Sequence, residues 1–224
     1  MPTLLIASGN AHKAEEIAAI LGGGFSVQTL ASFPSAPKVV EDGGTFSANA
    51  IKKAAEIAVW LGGQAIAQAL PNFVLADDSG LEVDALGGAP GIHSARYAGG
   101  DSNASDKANN AKLLHELADA ADGKRGAQFQ CVLALVKLGQ EAEVQTFKGI
   151  CRGSIAEVQT GQGGFGYDPL FIPDGHTQSF AELGREVKNE ISHRARALAK
   201  LAEHFSQGLS ASQSPHNGDH QPNQ

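Results

Sequence analysis

Basic residues are scarce in this sequence, and their scarcity excludes one class of protein. There are 17 Lys and Arg against 24 Asp and Glu, which gives a formal net charge of −7. An acidic surface repels long polyanions, so a protein that coats DNA or RNA is disfavoured and no nucleic-acid polymer is expected as a partner. Any phosphate-binding site must therefore be local.

Cysteine and long apolar runs are also rare. The two cysteines are Cys131 and Cys151, and without a signal sequence we expect buried thiols in a reducing compartment. Residues 1–6 lack a basic segment and are too short an apolar run for a signal sequence. No other stretch approaches the length of a membrane span. We therefore expect a cytoplasmic protein that does not contact membranes.

What is present fits one globular domain followed by a polar tail. The chain has 224 residues, 42% of them hydrophobic and 18% charged, which is ordinary for a folded protein with a sizeable core. From Ser206 to Gln224 the residues are almost all small or polar, with the single leucine Leu209. Such a segment cannot offset the entropy lost on ordering. We predict a folded domain over residues 1–205 and a disordered tail over residues 206–224.

The first half of the chain alternates strand and helix patterns. An apolar run at residues 4–7 predicts a strand, and apolar residues at helical spacing up to Gly22 predict a helix. Phe25 and Val27 indicate a second strand, and Thr45 is suited to cap a long helix. Residues 73–76 predict a buried strand that ends in the segment from Asp77 to Gly80, after which Leu81, Val83 and Ala85 alternate with polar residues. The segment from Gly62 to Asn72 has no clear assignment.

The second half of the chain predicts an antiparallel hairpin and further helices. Residues 127–136 and 143–151 read as two long strands with a short connection, which makes the sheet mixed. Leu113, Leu114 and Leu117 mark a helix before them. Ser192 is suited to cap a final helix. The pattern predicts an α/β fold with a mixed sheet flanked by helices.

A polar loop joins the first predicted strand to the first helix. Its residues are Ser8, Gly9, Asn10, Ala11, His12 and Lys13. Backbone N–H groups at a helix N-terminus together with a lysine can hold an anion, and Gly9 permits close approach. The loop lacks the second glycine and the Lys-Ser/Thr pair of a P-loop, so an ordinary strand-to-helix turn is the alternative.

Three carboxylates are candidate ligands for a hard cation. Glu41 precedes the second helix, and Asp77 and Asp78 follow a predicted strand, at the edge where open α/β sheets place their sites. Magnesium is typically held by one or two carboxylates together with substrate phosphates and water. In extended backbone Asp77 and Asp78 point to opposite sides, so only one faces the site. The alternative is a polar cluster that caps a turn.

Two further sets of residues suit a nucleotide. Asn49 and Lys53 lie one turn apart on a helix face away from its apolar stripe, although a solvated face is the alternative. A glycine-rich loop supplies aromatic faces for base stacking beside a carboxylate, or else aromatics that fill the core. That loop contains Phe165, Gly166, Tyr167 and Asp168.

Cationic donors gather around the predicted start of the last helix. They are Lys188, His193 and Arg194. Positive charge at a helix N-terminus opposes the helix dipole, so we interpret these residues as present for a ligand. Ordinary surface charge is the alternative.

Together these motifs closely resemble, in the same order, those of the inosine-triphosphate pyrophosphatase family. The resemblance runs from about Thr3 to Phe205. The matching residues include Ser8, Gly9, Asn10, Lys13, Glu41, Thr45, Phe46, Asn49, Lys53, Asp77, Asp78, Ser79, Gly88 to Gly91, Ser94 to Tyr97, Gly163 to Pro169 and Ser192 to Arg194.

The resemblance implies an enzyme that hydrolyses the deaminated purine nucleotides ITP, dITP and XTP to the monophosphate and pyrophosphate with Mg²⁺. It also implies a homodimer and an elongated mixed sheet with two lobes around a nucleotide cleft. By motif match, Asp78 acts as the base, and Glu41 and Asp78 hold magnesium. The motif match also implies that Ser8 through Lys13, Lys53 and Ser79 bind the phosphates. The residues implied to surround the base are Phe165 through Asp168, Lys188, His193 and Arg194.

Two rival functions remain from the sequence. One is a Maf-like nucleotide pyrophosphatase with a different base preference, against which the loop at residues 164–168 and the Ser192–His193–Arg194 motif argue. The other is a nucleotide-binding module without turnover, which the paired carboxylates disfavour. A substrate panel separates the first, and an assay for pyrophosphate separates the second.

Overall fold

The computed structural model describes residues 1–63, 70–100, 102–120, 124–139 and 143–211, with side chains described through residue 207. The strands are β1 (Thr3–Ile6), β2 (Ser26–Thr29), β3 (Phe73–Val83), β4 (Gly126–Lys137), β5 (Val144–Ile155) and β6 (Phe171–Pro173). The helices are α1 (Ala11–Leu21), α2 (Phe46–Gly62), α3 (Asp106–Glu116), α4 (Phe180–Ile191) and α5 (His193–Ala211).

The described strands form one mixed sheet, which confirms the predicted fold class. Their order is β2-β1-β3-β4-β5-β6. Strand β1 pairs in parallel with β2 and β3, whereas β3, β4, β5 and β6 pair antiparallel in succession. The hairpin of β4 and β5 is the one that the sequence predicts.

Helices cover both faces of the sheet. Helix α2 places Ala50, Ala54 and Ile57 in a buried cluster with Val74 and Ala76 of β3. On the opposite face, α1 and α5 pack against residues of β1, β3 and β4; this cluster contains Ile17, Leu198, Leu201, Leu4, Ile6, Leu75 and Leu133. Alternate residues of β3 therefore face different helices, as the two-residue period of a strand requires.

The predicted end of the strand within the segment from Asp77 to Gly80 is wrong, because β3 continues without a break to Val83. Strand β1 pairs with β3 only as far as Ile6 and Leu75, but β4 stays paired with β3 along its whole length. The composition of the Asp-Asp-Ser-Gly segment is typical of a turn, but here Gly80 allows the residues at 91–94 to pack closely against the strand. A Cβ atom at Gly80 would lie 2.4 Å from Ser94 Oγ and 2.6 Å from the Gly91 oxygen.

Side-chain caps fix several helix starts where the sequence predicts them. Thr45 Oγ1 accepts the Ala48 N–H at 3.1 Å, and Ser192 Oγ accepts the Ala195 N–H at 3.2 Å. Helix α4 is an element that the sequence analysis missed. Its signal was a Ser-x-x-Glu capping box, in which Ser179 and Glu182 each bond the other's backbone N–H.

The carboxyl-terminal boundary differs from the prediction. Helix α5 continues to Ala211, so residues 206–211 are helical and extend past the predicted domain end at residue 205. Phe205 anchors this helix edge-on against Phe25 and Phe73, at ring-centroid distances of 4.9 and 5.0 Å. Residues 212–224 of the predicted tail, and residues 64–69 of the unassigned segment, lie outside the described residues. No described helix has both the length and the apolar character to cross a membrane.

Candidate active site

The candidate site forms where β1 stops and β3 continues. The last backbone bond between them joins the Ala7 N–H to the Leu75 oxygen at 2.8 Å. Two residues further on, the Asp77 carbonyl points to the same side and accepts the Lys53 ammonium at 3.0 Å. The early end of β1 thus opens a gap in which side chains from both faces of the sheet meet.

Asp77 and Asp78 face opposite sides of the sheet, as their neighbouring positions in extended backbone predict. Asp77 contacts Lys13 of α1 and Arg194 of α5. Asp78 instead accepts a hydrogen bond from Asn49 Nδ2 of α2, at 3.1 Å. The two carboxylates therefore have different neighbours and different chemistry.

Asp77 is fully buried at the centre of an ion-pair network. Its Oδ1 accepts Lys13 Nζ at 2.8 Å and the Ser79 hydroxyl at 2.8 Å, while its Oδ2 accepts Arg194 Nε at 2.9 Å and the Cys131 thiol at 3.2 Å. Burial alone would raise the pKa of Asp77, but Arg194 and Lys13 hold it well below the usual value. Asp77 is thus a permanent anion that fixes two cations.

Glu16 completes this network and was missed by the sequence analysis. Its Oε1 lies 2.7 Å from Lys188 Nζ, and its Oε2 accepts Arg194 Nη1. Glu16 lies one turn after Lys13 on α1, between the buried residues Ala14 and Ile17. An acidic residue at a core-facing helix position was the signal, because a buried charge requires a partner.

Lys188 and Arg194 are held by acidic side chains of the protein. Lys188 belongs to the last turn of α4, where a cation is favourable, so the predicted opposition to a helix dipole does not apply to it. Its ammonium also binds Asp168 Oδ2 at 2.5 Å. Arg194 opens α5, and its charge is balanced by Asp77 and Glu16. The surface-charge alternative is wrong for both residues, because both are buried.

An aromatic pocket of about 170 Å³ adjoins this network. It is lined by His12, Glu15, Glu16, Gly164, Phe165, Phe180, Gly184, Arg185 and Lys188. The Phe165 ring stacks on His12 with centroids 5.4 Å apart, and Lys188 Nζ lies 4.4 Å from its centre. A flat ring with polar edges suits such a surface, since it can stack while its edge meets fixed charges.

Four of the predicted base-binding residues are buried and do not line the pocket, namely Tyr167, Asp168, His193 and Arg194. Tyr167 is buried, and its hydroxyl donates to the Ser94 oxygen at 2.8 Å. His193 stacks on Phe129 with centroids 4.7 Å apart. Burial, followed by the charges of Arg194 and Lys188, lowers the pKa of His193 well below its usual value, so the imidazole is neutral. Its Nδ1 has no hydrogen-bond partner among the described residues.

On the α2 face, Asp78 is surrounded by polar residues. Asn49 donates to Asp78 and accepts the Gly43 N–H at 2.7 Å, which ties the loop before α2 to the carboxylate. Asn49 and Lys53 are both buried, so the alternative of a solvated face is wrong. Burial raises the pKa of Asp78 to about 6, with the Lys13 and Lys53 charges opposing and Glu41 adding to the rise.

Glu41 and Asp78 offer the oxygen donors that a hard cation requires. Glu41 Oε1 lies 2.9 Å from Lys53 Nζ, which also bonds the Asp77 carbonyl beside Asp78. No group of three or more His, Cys, Asp or Glu suited to a metal occurs among the described residues. Two carboxylates still fit Mg²⁺, which takes most of its ligands from phosphate and water.

The loop from Ser8 to Lys13 lies at the edge of the same gap. Asn10 caps α1 by accepting the Lys13 N–H at 3.2 Å, and the Asn10 N–H bonds Ser8 Oγ at 3.2 Å. Gly9, Asn10, Ala11 and His12 are exposed, and nothing lies within 4 Å of a Cβ placed on Gly9. The helix N-terminus is therefore open to an anion from solvent.

This fold and this arrangement define an α/β protein whose gap beside β3 holds carboxylates and lysines and adjoins an aromatic pocket. The chain belongs to the Ham1 family, whose model matches residues 4–204. A dITP/XTP pyrophosphatase of Opitutus terrae is 49% identical over 207 residues, covering 89% of this chain and 97% of the relative. A dITP/XTP pyrophosphatase of Geobacillus kaustophilus is 47% identical and covers 92% of this chain and 95% of its own.

Solved structures agree with the family assignment. A HAM1 protein from Coxiella burnetii superposes with a TM-score of 0.78 at 37% identity and covers 92% of this chain and all of its own. The likeness therefore extends over most of the fold.

Proposed function

We propose that this protein is a nucleoside-triphosphate pyrophosphatase that hydrolyses ITP, dITP and XTP to the monophosphate and pyrophosphate. The dITP/XTP pyrophosphatase names of its relatives support this substrate class. The observation that carries the proposal is the gap beside β3. There Asp78 and Glu41 lie among Lys13 and Lys53, next to the aromatic pocket at Phe165.

The phosphate side of the reaction uses residues at the gap. Lys13, Lys53 and the open N-terminus of α1 attract the triphosphate, and Ser79 adds a hydroxyl beside them. Asp78 orients a water molecule and accepts its proton as the water attacks the α-phosphorus. Glu41 and Asp78 would hold Mg²⁺ here, and the ion would supply positive charge for the phosphoryl oxygens. Asn49 fixes the position of Asp78 relative to the loop before α2, because it bonds to both.

The base side of the reaction uses the pocket. Phe165 supplies a stacking face, and Lys188 places an ammonium beside it. The Lys188 ammonium has three N–H donors, and two of them are directed to Asp168 and Glu16. One N–H donor is left for an acceptor on the ligand. Hypoxanthine and xanthine carry an oxygen at position 6 that accepts a hydrogen bond from this N–H, whereas adenine has an amino donor at that position. We infer that Lys188 favours 6-oxopurines.

A substrate panel tests the proposed function. We expect kcat/KM for ITP and XTP to exceed that for ATP by about 10- to 100-fold, because an unpaired buried donor costs about 1–3 kcal/mol. The measurement is pyrophosphate release in Mg²⁺ buffer, with the nucleoside monophosphate identified as the second product. Equal rates with ATP would refute the base preference, and release of inorganic phosphate with a diphosphate would refute the cleavage site.

Substitution of Glu41 tests the metal. Glu41→Gln is expected to raise the Mg²⁺ concentration for half-maximal turnover at least about 10-fold, because a charged ligand is lost. Asp42→Asn is a matched control, since Asp42 is exposed and pairs with Lys52 at 2.6 Å. Chelation with EDTA should abolish turnover in the unsubstituted protein. An unchanged Mg²⁺ requirement in Glu41→Gln would remove Glu41 from the metal site.

The homodimer and the cytoplasmic location implied at the sequence level stay predictions. Light scattering of the purified protein measures the first, and fractionation of expressing cells measures the second. Neither result alters the chemistry proposed for the gap.

A further inference from the structure

Helix α3 reaches the aromatic loop through two side chains that the proposed chemistry does not use. Asp106 Oδ2 accepts the Gly166 N–H at 2.6 Å, and Asn110 Nδ2 donates to the Gly166 oxygen at 3.0 Å. Asp106 and Asn110 are one helical turn apart and therefore lie on the same face of α3. Both backbone polar groups of one glycine are thus held by a single helix.

The loop backbone makes this attachment significant for Phe165. Gly164 and Gly166, on either side of Phe165, have φ values of +76° and +63°, which side chains other than glycine rarely adopt. Glycine restricts φ and ψ less than any other residue, so the backbone on both sides of Phe165 does little by itself to fix the ring. From one side Asp168 Oδ2 accepts the Phe165 N–H at 2.9 Å, and from the other side α3 holds Gly166. The Phe165 ring is oriented between these two attachments.

Helix α3 is a firm support for this purpose. Ser105 caps it by accepting the Ala108 N–H, and Asn109 bonds the Ala98 N–H at 2.8 Å and the Ala95 oxygen at 3.3 Å. Leu113 and Leu117 are fully buried in the neighbouring core cluster. A side chain on this helix therefore has little freedom to follow the loop.

We propose that Asp106 and Asn110 are positioning residues that set the stacking face of Phe165 for the purine. This inference rests on the proposed function and adds the residues that hold its base-binding surface. Phe165 and Gly164 line the pocket, whereas Asp106 and Asn110 contact the loop from outside the lining residues. They act on base binding and leave the gap at Asp78 unchanged.

Steady-state kinetics with ITP test the inference. Asp106→Ala and Asn110→Ala are each expected to raise KM about 3- to 10-fold and to change kcat less than about twofold, as loss of one hydrogen bond predicts. Asp106→Asn keeps an acceptor oxygen and should restore KM to the unsubstituted value. Lys107→Ala, at an exposed neighbouring position on α3, is the matched control and should change neither constant.

The double variant Asp106→Ala/Asn110→Ala adds a second criterion. If both residues hold the same glycine, its KM increase will be smaller than the product of the two single increases. Amide hydrogen exchange of the segment around residues 163–168 should rise in both alanine variants and stay unchanged in Lys107→Ala. Should Asn110→Ala not fold, the comparison of Asp106→Ala with Asp106→Asn decides alone.

Several results would overturn the inference. These are an unchanged KM in both alanine variants, a fall in kcat at constant KM, or the same KM increase in Asp106→Asn as in Asp106→Ala. Failure of the proposed function would look different. In that case the unsubstituted protein itself would release no pyrophosphate from ITP, whatever the variants do.

Discussion

Asp78→Asn is expected to lower turnover of ITP by about 10²- to 10⁴-fold while the protein stays folded, because a positioned proton acceptor is lost. The asparagine oxygen still accepts the hydrogen bond that Asn49 donates, so the local packing is retained. Pyrophosphate release gives the rate, and the urea midpoint of unfolding gives the stability. Nucleotide affinity should change much less than turnover.

Two results would contradict the assignment of Asp78 as the base, and one of them comes from the neighbouring Asp77. A kcat for Asp78→Asn within a few-fold of the unsubstituted enzyme would remove Asp78 from the role of base. If Asp77→Asn were fully stable and lost more activity than Asp78→Asn, the roles of the two carboxylates would be reversed.

Asp77→Asn is expected to act mainly on stability. It leaves the buried Arg194 and the partly buried Lys13 without their shared anion, and removal of one partner from a buried pair costs about 3–5 kcal/mol in the free energy of unfolding. Urea denaturation measures the loss. The folded fraction of this variant should keep more activity than Asp78→Asn, since Asp77 supports the site without contacting the reacting atoms.

Asp84→Asn is a matched control for Asp77→Asn, because it breaks an ion pair at the surface of the protein. Asp84→Asn removes an ion pair with Arg152 of 2.7 Å, but both side chains are about half exposed. Exposed pairs contribute about 1 kcal/mol or less, so this variant should unfold near the unsubstituted midpoint. Equal losses for Asp77→Asn and Asp84→Asn would contradict the central role of the buried network.

Local sequence patterns predicted much of the fold because capping and periodicity are short-range effects. Thr45 and Ser192 lie where a polar residue precedes an apolar helical pattern, and each accepts a backbone N–H as such a residue should. The two-residue period of extended backbone also predicted that Asp77 and Asp78 face opposite sides. The motif order was enough to predict the family and the mixed sheet.

Tertiary structure decided what each charged residue pairs with. Arg194 binds Glu16 and Asp77 across 178 and 117 positions of the chain, and no local pattern encodes a choice of partner at that distance. The sequence therefore marks Glu16 as an acidic residue at a core-facing position, but it does not show that Arg194 is its partner.

The sequence by itself determined the residue types of the site and their order along the chain. It also predicted that Asp77 and Asp78 lie on opposite faces, since this follows from the two-residue period of extended backbone. Only the tertiary structure decided that β3 continues past Asp78, because β4 supplies its backbone partners after β1 has ended. It also placed Phe165 in the pocket and Tyr167 in the core. That choice depends on which neighbouring surfaces remain to be filled, and those surfaces come from distant parts of the chain.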